Sequence, residues 1–235
     1  MNEALEQLIA QAKHIVFFGG AGVSTESGIP DFRSQDGLYH QQYDVPPETI
    51  LSHTYFVQHP KEFYRFYREK MLVQDAKPNA AHLRLAKLEQ QGKLIAVITQ
   101  NIDGLHQAAG SHNVLELHGS TLRNYCMRCG KFYDADFIKS GADIPRCICG
   151  GIIKPDVVLY EESLDQNIME QAVQALRRAD LLIIGGTSLT VYPAAGLLRY
   201  YQGEKLVVIN QTPTSSDAMA SLLLAEPIGR ILAEE

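Results

Sequence analysis

The 235 residues carry 21 Lys and Arg against 27 Asp and Glu, a formal charge of −6 that offers no general attraction to nucleic acid or to an anionic membrane. A composition that is 46% apolar and 20% charged is ordinary for a globular chain long enough to bury one substantial core. No run reaches the roughly 18 apolar residues of a membrane helix, and the N-terminus lacks the basic start and apolar core of a secretory signal.

A cytoplasmic location is therefore expected, where thiols stay reduced. Taken in order, Leu5, Leu8, Ile9 and Ala12 recur on one face of an N-terminal amphipathic helix. Residues 14–19 form an apolar run that ends in glycines, which reads as a buried strand feeding a tight turn. Similar runs at 94–99, 157–160, 181–185 and 206–210 suit strands covered on both faces, as in a parallel sheet. Helical stretches fall at 60–72, 80–91, 165–178 and 193–201. The alternation predicts an α/β fold, a Rossmann-like doubly wound parallel sheet. Two stretches interrupt it: an aromatic and polar insertion at about 35–74, and a segment at about 120–154 that holds every cysteine. Both are expected to form a smaller lobe on a single domain spanning 1–235.

The cysteines stand as Cys126 and Cys129, then Cys147 and Cys149, with glycines directly after each pair at Gly130 and Gly150. Two close pairs at this separation follow the zinc-ribbon pattern, in which each knuckle supplies two thiolates to one tetrahedral ion. The plain alternative is four buried core thiols. Four thiolates would close the tetrahedron and leave no position for water, so one structural Zn2+ is expected and the chemistry must lie elsewhere.

After the first strand, Gly20 and Gly22 let backbone approach a pyrophosphate, with a following helix N-terminus facing the anion. Thr25 stands where the third glycine of a dinucleotide fingerprint falls. The acidic residue a dehydrogenase places about 20 positions further on is replaced by the loop Pro30-Asp31-Phe32-Arg33. Asn210, at a later strand end, offers an amide to ribose hydroxyls, and Thr187 and Ser188 offer small donors at another. Gln100, Asn101, Ile102 and Asp103 follow the second strand, and His118 follows the apolar 114–117 run. Arg33 can pair with phosphate. A nucleotide site is expected, not wired for hydride transfer.

The segment from Gly20 to Arg33, the Gln100–Asp103 series, His118-Gly119, the four cysteines, Gly186-Thr187-Ser188 and Val208-Ile209-Asn210 together resemble the sirtuin family along nearly the whole chain. The resemblance implies an NAD-dependent protein-lysine deacetylase that passes the acyl group to ADP-ribose and releases nicotinamide. It implies that Gly20, Ala21, Thr25 and Arg33 lie near the pyrophosphate and ribose, and that Thr187, Ser188, Asn210 and Ile228 hold the adenosine half. Phe32, Ile102 and Asp103 would form the nicotinamide pocket, while Gln100 and Asn101 contact its ribose. His118 would act as general base, with Asn101 beside it in catalysis. Acyl-lysine proteins or peptides would be the partners, pairing as a strand near Val158 and Tyr160, with no nucleic acid or membrane involved.

Departures from the family pattern are equally informative. Tyr160-Glu161-Glu162 stands where Phe-Gly-Glu is usual, which bears on local backbone shape and peptide preference, and Gly19 replaces a common threonine. Family members that take succinyl or malonyl groups carry Tyr-x-x-Arg in the helical insertion. Here neither Tyr64 nor Tyr67 has an arginine three positions on, and Arg68 is displaced about 100° round a helix. Neutral acyl groups, acetyl first, are the expected substrates. A mono-ADP-ribosyltransferase and a non-catalytic zinc-ribbon binding module stay open as alternatives.

Overall fold

The computed structural model describes residues 2–31, 44–72, 75–141 and 143–234. Strands β1 (Ile15–Gly19), β2 (Leu94–Thr99) and β3 (Val114–Glu116) join β7 (Leu181–Gly185), β8 (Lys205–Ile209) and β9 (Leu222–Leu224) in one sheet. All its pairings are parallel, in the spatial order β3-β2-β1-β7-β8-β9. The chain runs outward from β1 to β3, then returns to build the other half from β7 to β9. The order therefore reverses between β1 and β7, where open α/β sheets place their ligands.

Period-2 geometry explains why the apolar runs become strands covered on both faces. Ile15 and Phe17 point to one face while Val16 and Phe18 point to the other, and Leu181, Ile183, Leu182 and Ile184 divide in the same way. Helices α1 (Glu3–Gln11), α5 (Ala80–Gln90) and α9 (Ile228–Leu232) cover the first face. Helix α8 (Gln166–Arg178) and a 3-10 segment, Ala194–Tyr200, cover the second. The helix starts carry their own signals. Asn2 accepts from the Leu5 amide at 3.1 Å, Asp165 accepts from Ile168 at 3.0 Å, and Asn79 forms a capping box with His82. Arg177 and Arg178 place positive charge at the C-terminal end of α8, where the helix dipole favours it.

The first interruption holds α2 (Pro47–Ile50), α3 (His53–Gln58) and α4 (Pro60–Phe66), the last widening into a π turn over Tyr67–Met71. The second holds β4 (Gly119–Cys126), β5 (Phe132–Asp134), α7 (Ala135–Ser140) and β6 (Ile153–Val157), whose strands form an antiparallel sheet ordered β5-β4-β6. A third apolar cluster joins the two. Phe56, Phe63, Tyr64 and Tyr67 from the helices pack with Ile138, Ile153 and Val157 from the second interruption. Arg123 links this region to the main sheet, donating to Asp156 at 2.8 Å and to Glu116, the last residue of β3, at 2.7 Å. Among the described residues no helix is long and apolar enough to cross a membrane.

Three expectations are corrected. The apolar run at 157–160 is not a strand of the parallel sheet: β6 ends at Val157 and belongs to the antiparallel sheet, where Lys154 and Asp156 alternate with buried Ile153, Pro155 and Val157. Among the described residues no α-helix follows directly on the glycine turn; two single 3-10 turns, Ala21–Val23 and Thr25–Ser27, do. The stretch at 193–201 is 3-10 rather than α-helical.

Candidate active site

The carboxyl ends of the parallel strands open into a cavity of about 690 Å³. Gly20, Ala21 and Thr25 after β1, Gln100 to Asp103 after β2, and His118 beyond β3 all line it. Thr187 and Ser188 after β7, Asn210 after β8 and Ile228 at the start of α9 line it as well, as do Val158 and Tyr160. Phe32 and Arg33 lie outside the described residues. The topology thus brings together side chains that the sequence separates by up to about 200 positions.

The glycines make the junction between β1 and β7 possible. Gly22 donates to the Gly186 carbonyl at 2.8 Å, and a Cβ on Gly22 would stand 2.8 Å from the Gly186 Cα. Gly186 has φ +57°, and a Cβ there would meet the Val23 nitrogen at 2.3 Å. Both strand ends can therefore close together only as bare backbone. Thr25 ties the following turn by donating to the Gly22 carbonyl at 3.0 Å. Among the described residues the amides at this turn belong to two 3-10 turns and not to an α-helix N-terminus.

A polar chain crosses the floor. The Asn101 amide donates to Ser24 Oγ at 3.0 Å, and Ser24 Oγ donates to Asp103 Oδ2 at 2.7 Å. Asp103 Oδ1 accepts from the Leu105 amide at 2.9 Å, and the Asn101 N–H donates to Thr99 Oγ1 at 3.0 Å. Gln100 reaches across to Thr187 Oγ1 at 3.0 Å. Ser24 is fully buried and Asn101 nearly so, hence each bond replaces lost water. Sequence reasoning missed Ser24. It sits inside the glycine-rich motif, but only its contacts 77 and 79 positions away show what the hydroxyl does.

His118 Nδ1 lies 3.0 Å from the Gln100 carbonyl. A carbonyl can only accept, so Nδ1 carries the proton and Nε2 keeps its lone pair. Burial lowers the ring's pKa below its ordinary 6.5, partly opposed by the Gln100 bond. The imidazole is therefore a neutral base at neutral pH, with a defined tautomer.

Beneath the cavity, His82 and His106 meet edge to face at 4.7 Å, both buried. Burial pushes His82 down to about 4, against the pull of Asp103, and His106 down to about 3, helped by His82. Neither ring nitrogen of His106 finds a partner among the described residues. The pair is held neutral. No sequence signal marked it.

The four cysteine sulfurs all lie within 4.8 Å of one another, with contacts of 3.4, 3.5 and 3.6 Å. These separations are far beyond a disulfide bond of about 2.05 Å. They approach the edge of roughly 3.8 Å expected for sulfurs bound tetrahedrally at 2.3 Å to zinc. Gly130 and Gly150 turn each knuckle at φ +70° and +85°. The residues fit a structural zinc ion with four thiolate ligands.

The Sir2 family model matches residues 20–193. The chain belongs to the Sir2 family. A relative from Clostridium acetobutylicum, named an NAD-dependent protein deacetylase, is 60% identical over 236 residues, covering 99% of this chain and 96% of its own length. A solved Sir2 structure with a p53 peptide and NAD+ is 41% identical with a TM-score of 0.87, covering 99% of this chain and 95% of that one. Another, a Sir2 complex with an inhibitor, 2'-O-acetyl-ADP-ribose and deacetylated p53 peptide, is 40% identical with a TM-score of 0.86. That likeness covers 99% of this chain and 96% of the other.

Proposed function

We propose that the chain is an NAD-dependent protein-lysine deacetylase that prefers neutral acyl groups and passes them to ADP-ribose. Its family membership and its similarity to deacetylases of known name support the activity. The observation that carries the chemistry is His118, a buried neutral imidazole with a bare Nε2 on the wall of a cavity at the sheet's switch point.

NAD, when bound, supplies the ADP-ribosyl carbon that takes the acyl oxygen as nicotinamide leaves. The chain's own residues do the rest. Gly20, Ala21 and Thr25 hold the pyrophosphate and ribose side, while Thr187, Ser188, Asn210 and Ile228 hold the adenosine half. Ile102 and Asp103 frame the nicotinamide, and the Asn101–Ser24–Asp103 chain fixes the groups that face it. His118 Nε2 accepts a proton from a ribose hydroxyl, which suits a base whose pKa lies below working pH. Val158 offers its carbonyl to the substrate lysine nitrogen. We read residues 1–235 as one catalytic domain, with the helical insertion and the zinc module forming its small lobe.

The acyl preference rests on where the candidate carboxylate binders sit. The Tyr64 hydroxyl donates to the Ile153 carbonyl, and Tyr67 is fully buried in the third cluster. Arg68 donates to the Ile138 carbonyl at 2.7 Å and to the Asp143 carbonyl. Tyr64 and Arg68 are committed to holding the insertion on the zinc module, and the Tyr67 hydroxyl is buried without a partner among the described residues. Lys70 borders the cavity and pairs with Glu69 at 3.1 Å. The test is a competition between acetyl- and succinyl-lysine versions of one peptide, with NAD in excess. Removal of acetyl at least tenfold faster is expected. Equal or faster loss of succinyl would overturn the preference, and removal of neither would overturn the activity.

A further inference from the structure

Residue 161 has a left-handed backbone, with φ +76°, yet it is a glutamate. That region is disfavoured for any residue bearing a Cβ and persists only where surrounding contacts hold it. Here the side chain itself supplies the hold. Glu161 Oε2 accepts from the Thr54 amide at 2.9 Å and from the Thr54 hydroxyl at 2.7 Å. Thr54 lies in the first turn of α3, so its N–H lacks a partner within the helix and is free to take a carboxylate.

The neighbouring backbone is already committed. Tyr160 donates to the Leu51 carbonyl at 3.0 Å and accepts from the His53 amide at 2.9 Å. Leu159 donates to the Glu162 carboxylate at 2.9 Å and accepts from the Glu162 amide at 3.0 Å. Glu162 is further fixed by Lys154 at 3.0 Å and His53 at 2.9 Å. Val158 spends its N–H on the His118 carbonyl at 3.0 Å. From Val158 to Glu161, among the described residues, this leaves the Val158 carbonyl and both backbone groups of Glu161 unpaired on the cavity rim. An extended peptide cannot pair along the whole of 157–160, because Leu159 and Tyr160 are taken. The next free backbone groups along this segment are the N–H and C=O of residue 161.

Resting on the deacetylase reading above, we propose that Glu161 is a positioning residue for the peptide substrate. Clipped to Thr54, it holds its own backbone in the left-handed form that presents N–H and C=O to the incoming strand. Glycine adopts this conformation without a clip, so the carboxylate and Thr54 together replace what a glycine does unaided. Residue 161 acts on peptide binding and not on the chemical step.

Steady-state kinetics with an acetyl-lysine peptide at saturating NAD test this. Glu161→Ala keeps the strained position but loses the clip; its peptide KM should rise about tenfold, with kcat and the KM for NAD within twofold. Thr54→Val should shift peptide KM in the same direction. The double variant should be no worse than Glu161→Ala alone, since Thr54→Val removes only the hydroxyl half of a clip that Glu161→Ala removes whole. Glu161→Gly needs no clip and should lose less than Glu161→Ala, and Glu161→Gln should retain part of the effect. Unchanged peptide KM in Glu161→Ala, additive losses in the double variant, or a larger loss with glycine would each overturn the inference. Wild-type turnover is the separate control: its absence would overturn the deacetylase reading itself, whereas normal turnover with a flat KM series would overturn only the role of Glu161.

Discussion

Ser24→Ala removes a single oxygen from the cavity floor and leaves one buried and one half-buried group short of a partner. The Asn101 amide loses its acceptor at 3.0 Å, and Asp103 Oδ2 loses its donor at 2.7 Å. Asp103 keeps the Leu105 amide on its other oxygen, so the carboxylate is not stripped bare. Stranding a buried polar group costs about 1–3 kcal/mol, and the small volume change adds little. A loss of about 2 kcal/mol is the central expectation, equivalent to a fall in melting temperature of about 4–8 °C for a chain of this length. The same misplacement of Asn101 and Asp103 should lower kcat/KM by roughly thirtyfold if the full amount is lost in the transition state. Urea unfolding and nicotinamide release on the same preparations measure the two effects. Stability within 0.5 kcal/mol and turnover within twofold of wild type, on the order of ordinary surface substitutions, would refute the view that Ser24 organises this floor.

Two further outcomes follow from buried groups elsewhere. His82 and His106 stay neutral in the fold at pKa values of about 4 and about 3, below the ordinary 6.5. Their contribution is fully present above pH 6.5 and is lost as pH falls toward those values, because the unfolded rings take up protons first. Between pH 6.5 and 5 the pair should cost about 3 kcal/mol of unfolding free energy, and a flat urea midpoint across that window would contradict the assignment. Metal analysis should find about one zinc per chain. Cys147→Ser or strong chelation should loosen the small antiparallel sheet and its cluster before the parallel sheet unfolds, and a metal-free protein of unchanged stability would contradict a structural role.

The parallel sheet was legible because its strands obey one local rule: continuous aliphatic runs, split by period 2 between two covered faces. The same rule misplaced 157–160, where a short apolar run lies just beyond an alternating strand whose outward residues are Lys154 and Asp156. The glycine turn was legible as a close approach of backbone, but not as a pair of 3-10 turns, the second of which ends on Gly28 at φ +85°. The zinc ligands were legible from spacing alone. His118 was visible at a strand end, although its tautomer depends on the Gln100 carbonyl. Ser24, the His82–His106 pair and the Glu161–Thr54 clip were not legible. Each is defined by partners 24 to 107 positions away, and hydroxyls, imidazoles and carboxylates on their own say nothing of such partners.

On the proposed reading, the cavity consumes NAD to move an acyl group off lysine with His118 as base. Its most direct test follows one acetyl-lysine peptide and NAD by mass spectrometry, counting nicotinamide, free-lysine peptide and acetylated ADP-ribose in wild type and His118→Ala. Equal amounts of all three products are expected from the wild type, falling together by at least a hundredfold in the variant. Nicotinamide release with ADP-ribose added to protein and the peptide still acetylated, or full deacetylation by His118→Ala, would contradict it.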